Sequence, residues 1–399
     1  MNISNIHNCY GCGVCAATCA KKLISIELNS DGFYEPSIKE PDKCSDCGLC
    51  LEVCAFSHSE LANNNAVPIM SWAAWSNNED VRHKCSSGGV GYEIGKQLIE
   101  KGYHAVGCRY DNKKQRAEHF IATAVEDYTA SIGSKYIQSY TADAFSQIKK
   151  KRQKYLITGT PCQIDSFRRL IRKFHCEDNF ILMDFFCHCV PSMFAWRAYM
   201  KMLEPKIGNI IHASWRNKFD YGKQGSWQMG MEEGKIPKPI DWHDSWNFFI
   251  IGDGACIQSR MSQGDLFYKL FLDDIAFGPQ CQTKCKYKYD HSSADIRIGD
   301  LWGKTYQKDQ KGVSGLVAFT EKGLSIIESL KDVTLIVHPF EIVAEGQMKE
   351  NAKPAPEYSW VMHLLRMDIK ASSKVWMNLI KVGGIKYRLI RKIKKILKL

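Results

Sequence analysis

Several common signatures are missing from this 399-residue sequence. Its opening, MNISNIHNCY, lacks a basic stretch followed by an apolar one, so no secretory signal is expected. No apolar run suits a bilayer span, since the longest, Phe180 to Trp196, is interrupted by Asp184, His188 and Pro191. No Walker loop, no G-x-G-x-x-G following a strand and no Ser–His–Asp spacing occurs, which disfavours nucleotide hydrolysis and Rossmann-type cofactor binding. Charge bias is also scarce over most of the chain. The net charge is +11, but residues 381–399 hold eight Lys or Arg and no acid, leaving only +3 for the other 380 residues. Charge therefore gives no support to a nucleic-acid partner.

Cysteine is the opposite case, with 17 copies. A chain that is not exported is expected in the reducing cytoplasm, where thiols more often bind metal or do redox chemistry than form disulfides. An apolar fraction of 45% and an aromatic fraction of 11% suit a globular protein with a core, and the length suits two or three domains.

Cys9, Cys12, Cys15 and Cys19 are spaced C-x2-C-x2-C-x3-C, and Cys44, Cys47, Cys50 and Cys54 repeat that spacing unchanged. Three thiolates on a tight loop can grip three irons of one cubane, while the fourth reaches a second cubane. The expectation is a ferredoxin-type module over residues 1–62 with two [4Fe–4S] clusters. Cys9, Cys12, Cys15 and Cys54 would hold one, and Cys44, Cys47, Cys50 and Cys19 the other. Structural zinc pairs one C-x2-C with a distant second, a poor match to these runs of four. Between the runs, LISIEL (23–28) and FYEPSI (33–38) flank the turn Asn29-Ser30-Asp31-Gly32, a hairpin signal. Gly11, Gly13 and Gly48 lie in the cysteine loops, where backbone N–H groups can approach sulfur. Ala20 and Ala55 stand where bacterial ferredoxins usually place proline.

Asn63 to Pro68 (NNNAVP) is a linker signal. Beyond it the pattern turns mixed α/β. HKCSSGGVGYEIGKQLIEKG (83–102) reads as a Gly/Ser loop feeding a helix that ends at Gly102. HAVGCRY (104–110), KYLITG (154–159), NFILMDFFC (179–187), ADIRIGDLWG (294–303) and VSGLVAFT (313–320) carry strand signals, with an amphipathic helix from TPCQ through Lys173. Residues 206–260 are rich in Trp and Gly and mostly strand-like, and residues 359–399 read as helical. The fold class expected is α+β, with the two-cluster module joined to a mixed α/β body and ending in a helical tail.

The body holds Cys85, Cys108, Cys162, Cys176, Cys187, Cys189, Cys256, Cys281 and Cys285. A buried free thiol is the default for any one of them. Four stand out by position: Cys162 after one strand (GTPCQ), Cys187 after another (FFCHCVPS), and Cys281 with Cys285 (CQTKC) shortly before a third. Loops at strand ends can converge, and four converging cysteines suit a third [4Fe–4S] cluster.

Five phrases in order, KCSSGGV (84–90), GSKYIQS (133–139), LITGTPCQIDSFRRL (156–170), FFCHCVPS (185–192) and CQTKCKY with ADIRIGDLWG (281–303), resemble the beta-subunit family of coenzyme F420 hydrogenases and dehydrogenases. The likeness covers roughly residues 70–305 and divides the body into an N-terminal-like region (70–150) and a C-terminal-like region (151–345). It implies an iron–sulfur flavoprotein oxidoreductase that moves electrons between clusters and FAD. It implies that Cys162, Cys187, Cys281 and Cys285 hold the third cluster, with Cys189 competing with Cys187. It also implies that Ser86, Ser87, Gly88 and Gly89 line the flavin, with Lys135, Gln138, Ser139 and Thr160 nearby. A Gly/Ser loop before a helix suits a pyrophosphate or the flavin ring edge, and Lys135 could supply charge to a phosphate or reduced flavin. In Cys281 and Cys285 this sequence has a three-residue gap where many relatives have two.

The implied partners are a ferredoxin or another redox protein as donor and a small substrate, either F420-like or sugar-linked as in surface-polysaccharide synthesis. The rival of another class is a non-catalytic electron-transfer subunit of a larger complex. Asp295 and Asp300 could touch flavin or substrate or cap turns. His188 could pass a proton or be structural, and Trp215, Trp227, Trp242 and Trp246 could stack on a substrate or fill a core. In the basic tail, Ile385, Leu389, Ile393 and Ile396 or Leu397 share a helical face. That suits a helix lying on the anionic inner face of a membrane, or one docked on protein.

Overall fold

A computed structural model describes residues 2–63, 67–148, 153–220, 238–371 and 373–396. Residues 64–66 of the linker signal, Trp227 and Leu397 lie outside that set. In the N-terminal module, β1 (Ile24–Leu28) and β2 (Tyr34–Ile38) pair antiparallel, with Ile24 opposite Ile38. The turn forms because the Asn29 side-chain oxygen accepts the N–H groups of Asp31 and Phe33 at 3.0 and 3.1 Å, while Gly32 takes a φ of +78°. Each cysteine run folds alike. A glycine in the left-handed region, Gly13 at +72° or Gly48 at +75°, starts a short helix, Val14–Thr18 or Leu49–Glu52.

In the body, β3 (Met70–Ser76), β4 (His104–Asp111), β5 (Arg116–Ala122), β6 (Ser139–Tyr140), β7 (Tyr155–Thr158) and β8 (Phe180–Phe185) enter a large sheet. The chain then leaves it through β9 (Ile210–Ser214), the short pair β10 (Phe219–Asp220) and β11 (Lys238–Pro239), β12 (Asn247–Gly252) and β13 (Cys256–Arg260). It returns with β14 (Ile296–Asp300), β15 (Ser314–Ala318) and β16 (Val333–Val337). Among the described residues the large sheet has nine strands in the order β16-β3-β15-β14-β8-β7-β4-β5-β6. Its centre, β14-β8-β7-β4, is parallel and flanked by antiparallel pairs, with one further parallel pair, β5-β6, at the edge.

β7 and β8 are mostly apolar because both of their faces are covered, the exception in β8 being Asp184, which is buried and paired with Arg297. Val90, Ile94 and Leu98 of the helix Val90–Glu100 pack on one face, and Ile164, Phe167, Leu170 and Ile171 of the helix Pro161–Lys173 on the other. The second of these helices also packs against Val14 and Val53, so the cluster module shares a core with the body. Strands from 70–150 and from 151–345 interleave, with β3 between β16 and β15 and β4 beside β7.

A second core gathers Trp196, Tyr199, Phe248, Phe267 and Tyr268 around β9, β12 and β13. The C-terminal helix, Ser373–Ile396, docks its first half here through Trp376 and Ile380, while Val382, Ile385 and Leu389 are exposed. No helix among the described residues is long and apolar enough to cross a membrane.

Candidate functional site

In an open sheet with a parallel centre, ligands gather beyond the carboxyl ends of the strands. Here the end of β7 and its loop (Thr158–Thr160), the end of β8 and its loop (Phe185–Val190) and the end of β14 border a cavity of about 660 Å³. The Gly/Ser loop and the segment 131–137 close its other sides.

Ser86, Ser87 and Gly89 line this cavity. Gly89, at φ +86°, stands just before the helix Val90–Glu100, whose free N–H groups and positive dipole end favour an anion. Gly88 sits behind the loop, its N–H donating to Ser314 Oγ at 3.1 Å, and a Cβ there would strike the Ala74 carbonyl. Ser86 Oγ accepts the Ser134 N–H at 2.8 Å, and Lys218 Nζ donates to the Ser87 carbonyl at 2.7 Å. The loop is thus held from behind.

Lys135, Ser139 and Thr160 also line the cavity. Lys135 Nζ donates to the carbonyls of Ser131 and Ile132 at 3.0 Å each, and burial pulls its ammonium down to about 8. Gln138 is turned elsewhere. Its Oε1 accepts the Tyr34 N–H at 2.8 Å and its Nε2 donates to the Tyr10 carbonyl at 3.1 Å, tying the module to the body.

Cys187 and Cys189 line the cavity after β8. Cys162, at the start of the helix Pro161–Lys173, lies within electrostatic reach of Cys187 and Cys281, and Cys187 within reach of Cys281 and Cys285. Cys189 packs in one cluster with Cys281 and lies within its electrostatic reach. Five body cysteines therefore converge, and Cys187 and Cys189 both belong to the group. Burial pushes the Cys187 thiol up to about 12 and Cys162 well above its ordinary value. As thiolates these groups would need a compensating cation among them, which the iron of a cluster would supply.

In the module, Cys9, Cys12, Cys15 and Cys54 are buried around one small cavity. Cys47 is exposed and Cys19, Cys44 and Cys50 are half-buried, with Cys47 within reach of Cys50. Among the described residues no three His, Cys, Asp or Glu side chains gather tightly enough for a single metal ion. A cubane instead takes each thiolate at a separate iron and tolerates a wider ring.

Two charged side chains at this site, Arg216 and Lys288, carry no sequence signal. Arg216 is buried, donates to Asp300 at 2.7 Å and to Tyr136 Oη at 3.1 Å, and lies 4.7 Å from the Trp246 ring and 5.1 Å from the Trp302 ring. Asp300 faces the cavity through that pair. Lys288 reaches the carbonyls of the Cys187 loop. By contrast Asp295 is structural, accepting from Arg168 at 2.8 Å and from the Leu182 N–H at 2.7 Å. His188 lines the cavity with its Nε2 at 2.9 Å from Asp274, Trp246 lines it too, and Trp215 is part of the second core.

Models of the coenzyme F420 hydrogenase/dehydrogenase beta subunit match in two parts, the N-terminal one at residues 71–146 and the C-terminal one at 152–341, together about two thirds of the chain. A 4Fe-4S dicluster domain model matches residues 8–57. The DNA-directed RNA polymerase subunit Rpo3 of Methanosarcina acetivorans is 44% identical over 54 residues, 14% of this chain; the match spans only 19% of that subunit. A chain of the xenon-derivatised F420-reducing [NiFe] hydrogenase complex from Methanosarcina barkeri is similar at 15% identity, with a TM-score of 0.41 and coverage of 83% of this chain and 94% of that one.

Proposed function

Because the chain belongs to the coenzyme F420 hydrogenase/dehydrogenase beta-subunit family and carries a 4Fe-4S dicluster domain, we propose that it is an iron–sulfur flavoprotein oxidoreductase. It would relay electrons from a ferredoxin-like donor through three [4Fe–4S] clusters to FAD and a small substrate. The observation that supports this best is the convergence of five cysteines beside a cavity that the Gly/Ser loop also lines.

In this reading Cys9, Cys12, Cys15 and Cys54 hold an inner module cluster, and Cys19, Cys44, Cys47 and Cys50 an outer one. Cys162, Cys281, Cys285 and one of Cys187 or Cys189 hold the body cluster. When bound, clusters pass electrons singly and a flavin pairs them for a two-electron substrate reduction, or the reverse. The chain's own residues do the rest. Ser86, Ser87 and Gly89, with Gly88 behind them, present the helix N-terminus to a pyrophosphate. Lys135 offers positive charge, Ser139 and Thr160 offer hydroxyls, and Gln138 fixes the module against this wall. The substrate is an F420-like deazaflavin or a sugar-linked group, the latter placing the protein in surface-polysaccharide synthesis. The protein works in the cytoplasm, with its basic tail available to the membrane's inner face.

Iron and flavin per chain after strictly anaerobic purification test this directly. About twelve irons and one flavin are expected, four irons for each cubane. About eight irons and no flavin would sink the flavoenzyme reading and leave an electron-transfer subunit.

A further inference from the structure

Lys288 follows Cys285 by three residues and is only 8% exposed. Among the described residues its Nζ makes no ion pair with a carboxylate. It donates to the carbonyls of Cys187 at 2.8 Å and His188 at 2.5 Å, and its remaining neighbour is the Met348 sulfur at 3.8 Å. Both carbonyls belong to the loop that carries Cys187 and Cys189, so the ammonium is pinned against the cysteine group. The thiols within its electrostatic reach are Cys187, Cys189, Cys285 and Cys281. The other deeply buried lysine, Lys218, spends all three N–H donors on the carbonyls of Arg82, Ser87 and Lys311. Lys288 has only two carbonyls, and its uncompensated side faces sulfur.

An ammonium taken out of water without a counter-charge is strongly disfavoured. A [4Fe–4S] cluster bound by four thiolates supplies that counter-charge, because the assembly is anionic and becomes more so on taking up one electron. We propose that Lys288 is the counter-ion of the body cluster, a positioning residue that favours its reduced form and so raises its potential relative to the module clusters. The inference rests on the three-cluster reading above. The step is a one-electron reduction with no bond made or broken, and the electron comes from the inner module cluster.

The test is a redox titration followed by electron paramagnetic resonance on the full, cluster-loaded chain, comparing wild type with K288Q and K288R. In K288Q one of three one-electron steps should move at least tenfold toward the oxidised side, about 59 mV lower, while the other two stay. K288R should restore it, since a guanidinium keeps the charge. If K288Q keeps twelve irons and all three steps unmoved, or if K288R shifts as far as K288Q, Lys288 is not the counter-ion. If K288Q alone drops to about eight irons while K288R keeps twelve, the charge is needed for the cluster to be held at all, which supports the proposal. Wild type with only eight irons would overturn the three-cluster reading itself, a result visible before any variant is made.

Discussion

Cys12 Sγ stands 3.3 Å from Oγ of Ser166, and the same hydroxyl accepts the Ala55 N–H at 3.0 Å. Cys12 and Ala55 belong to the cluster module, whereas Ser166 lies one helical turn after Cys162 on the helix Pro161–Lys173. Residues four apart share a helix face, so a proposed ligand of the inner cluster touches the helix face that also carries one of the body cluster. Cys162 feels the Cys12 thiol electrostatically as well. Cys47, a proposed ligand of the outer cluster, is exposed. The proposed relay therefore has a direction in space: outer cluster at the surface, inner cluster, body cluster, cavity.

Ser166→Ala removes that hydroxyl and strands the buried Ala55 N–H. A buried donor left without a partner costs about 1–3 kcal/mol. The variant should unfold at lower urea under anaerobic conditions, and one module step should fall in potential, because hydrogen bonds to cluster sulfur raise it. A variant with unchanged unfolding midpoint and potentials would show that the hydroxyl is a bystander.

If electrons enter at the surface, losing the outer cluster should separate protein donors from chemical ones. Cys47→Ser should bring iron down by about four per chain. Small reductants should still reduce bound flavin at nearly the wild-type rate, whereas reduction by a ferredoxin should slow at least tenfold. Equal slowing with both reductants would place the entry point elsewhere.

What could be read from the sequence was whatever is local along it. A cysteine run such as Cys9-x2-Cys12-x2-Cys15 is encoded within seven residues, and β7, β8 and the helix Pro161–Lys173 declare themselves by apolar period and by proline at the first helical position. The run Phe180–Trp196 hides two elements, because Ser192 Oγ accepts the Phe194 N–H at 3.1 Å and starts the helix Met193–Ile207 inside an apolar stretch. The long-range partners of the charged residues at the site were illegible for a different reason. Arg216 meets Asp300 across 84 residues and Lys288 meets Cys187 across 101. No periodicity connects such pairs, and an arginine between Trp215 and Asn217 looks like any surface charge until the chain folds. Gln138, which the family resemblance puts near the flavin, spends its amide on Tyr34 and Tyr10.

The C-terminal helix buries Trp376 and Ile380 yet exposes Val382, Ile385 and Leu389, in a segment whose residues 381–399 carry eight basic side chains and no acid. That combination suits an anionic lipid surface. The full chain should sediment with vesicles containing anionic phosphatidylserine and not with neutral phosphatidylcholine vesicles, and salt should weaken the binding. Ile385→Glu with Leu389→Glu should reduce it at least tenfold. Unchanged sedimentation of the double variant would instead point to a protein partner for the basic face.

The last prediction concerns pH. Burial pulls the Lys135 ammonium down to about 8, so in the free protein its charge is fully present well below that pH and lost above it. Other groups near it titrate elsewhere: burial pushes Cys108 up to about 11 and Cys85 up to about 12, draws His119 down to about 4, and also lowers His212 from its ordinary value. A bound phosphate or anionic flavin favours the charged ammonium and raises its pKa in the complex. By linkage, the Lys135 contribution to FAD affinity should be constant below about pH 8, then be lost as pH rises, by up to tenfold per unit until the pKa of the complex is passed. Lys135→Met should bind FAD more weakly at pH 7 and show no such fall up to pH 10. Lys135→Arg should stay tight and flat, since arginine keeps its charge throughout. Fluorescence quenching of FAD across that range measures all three. A wild-type affinity that does not change between pH 7 and pH 10 would remove Lys135 from the flavin site.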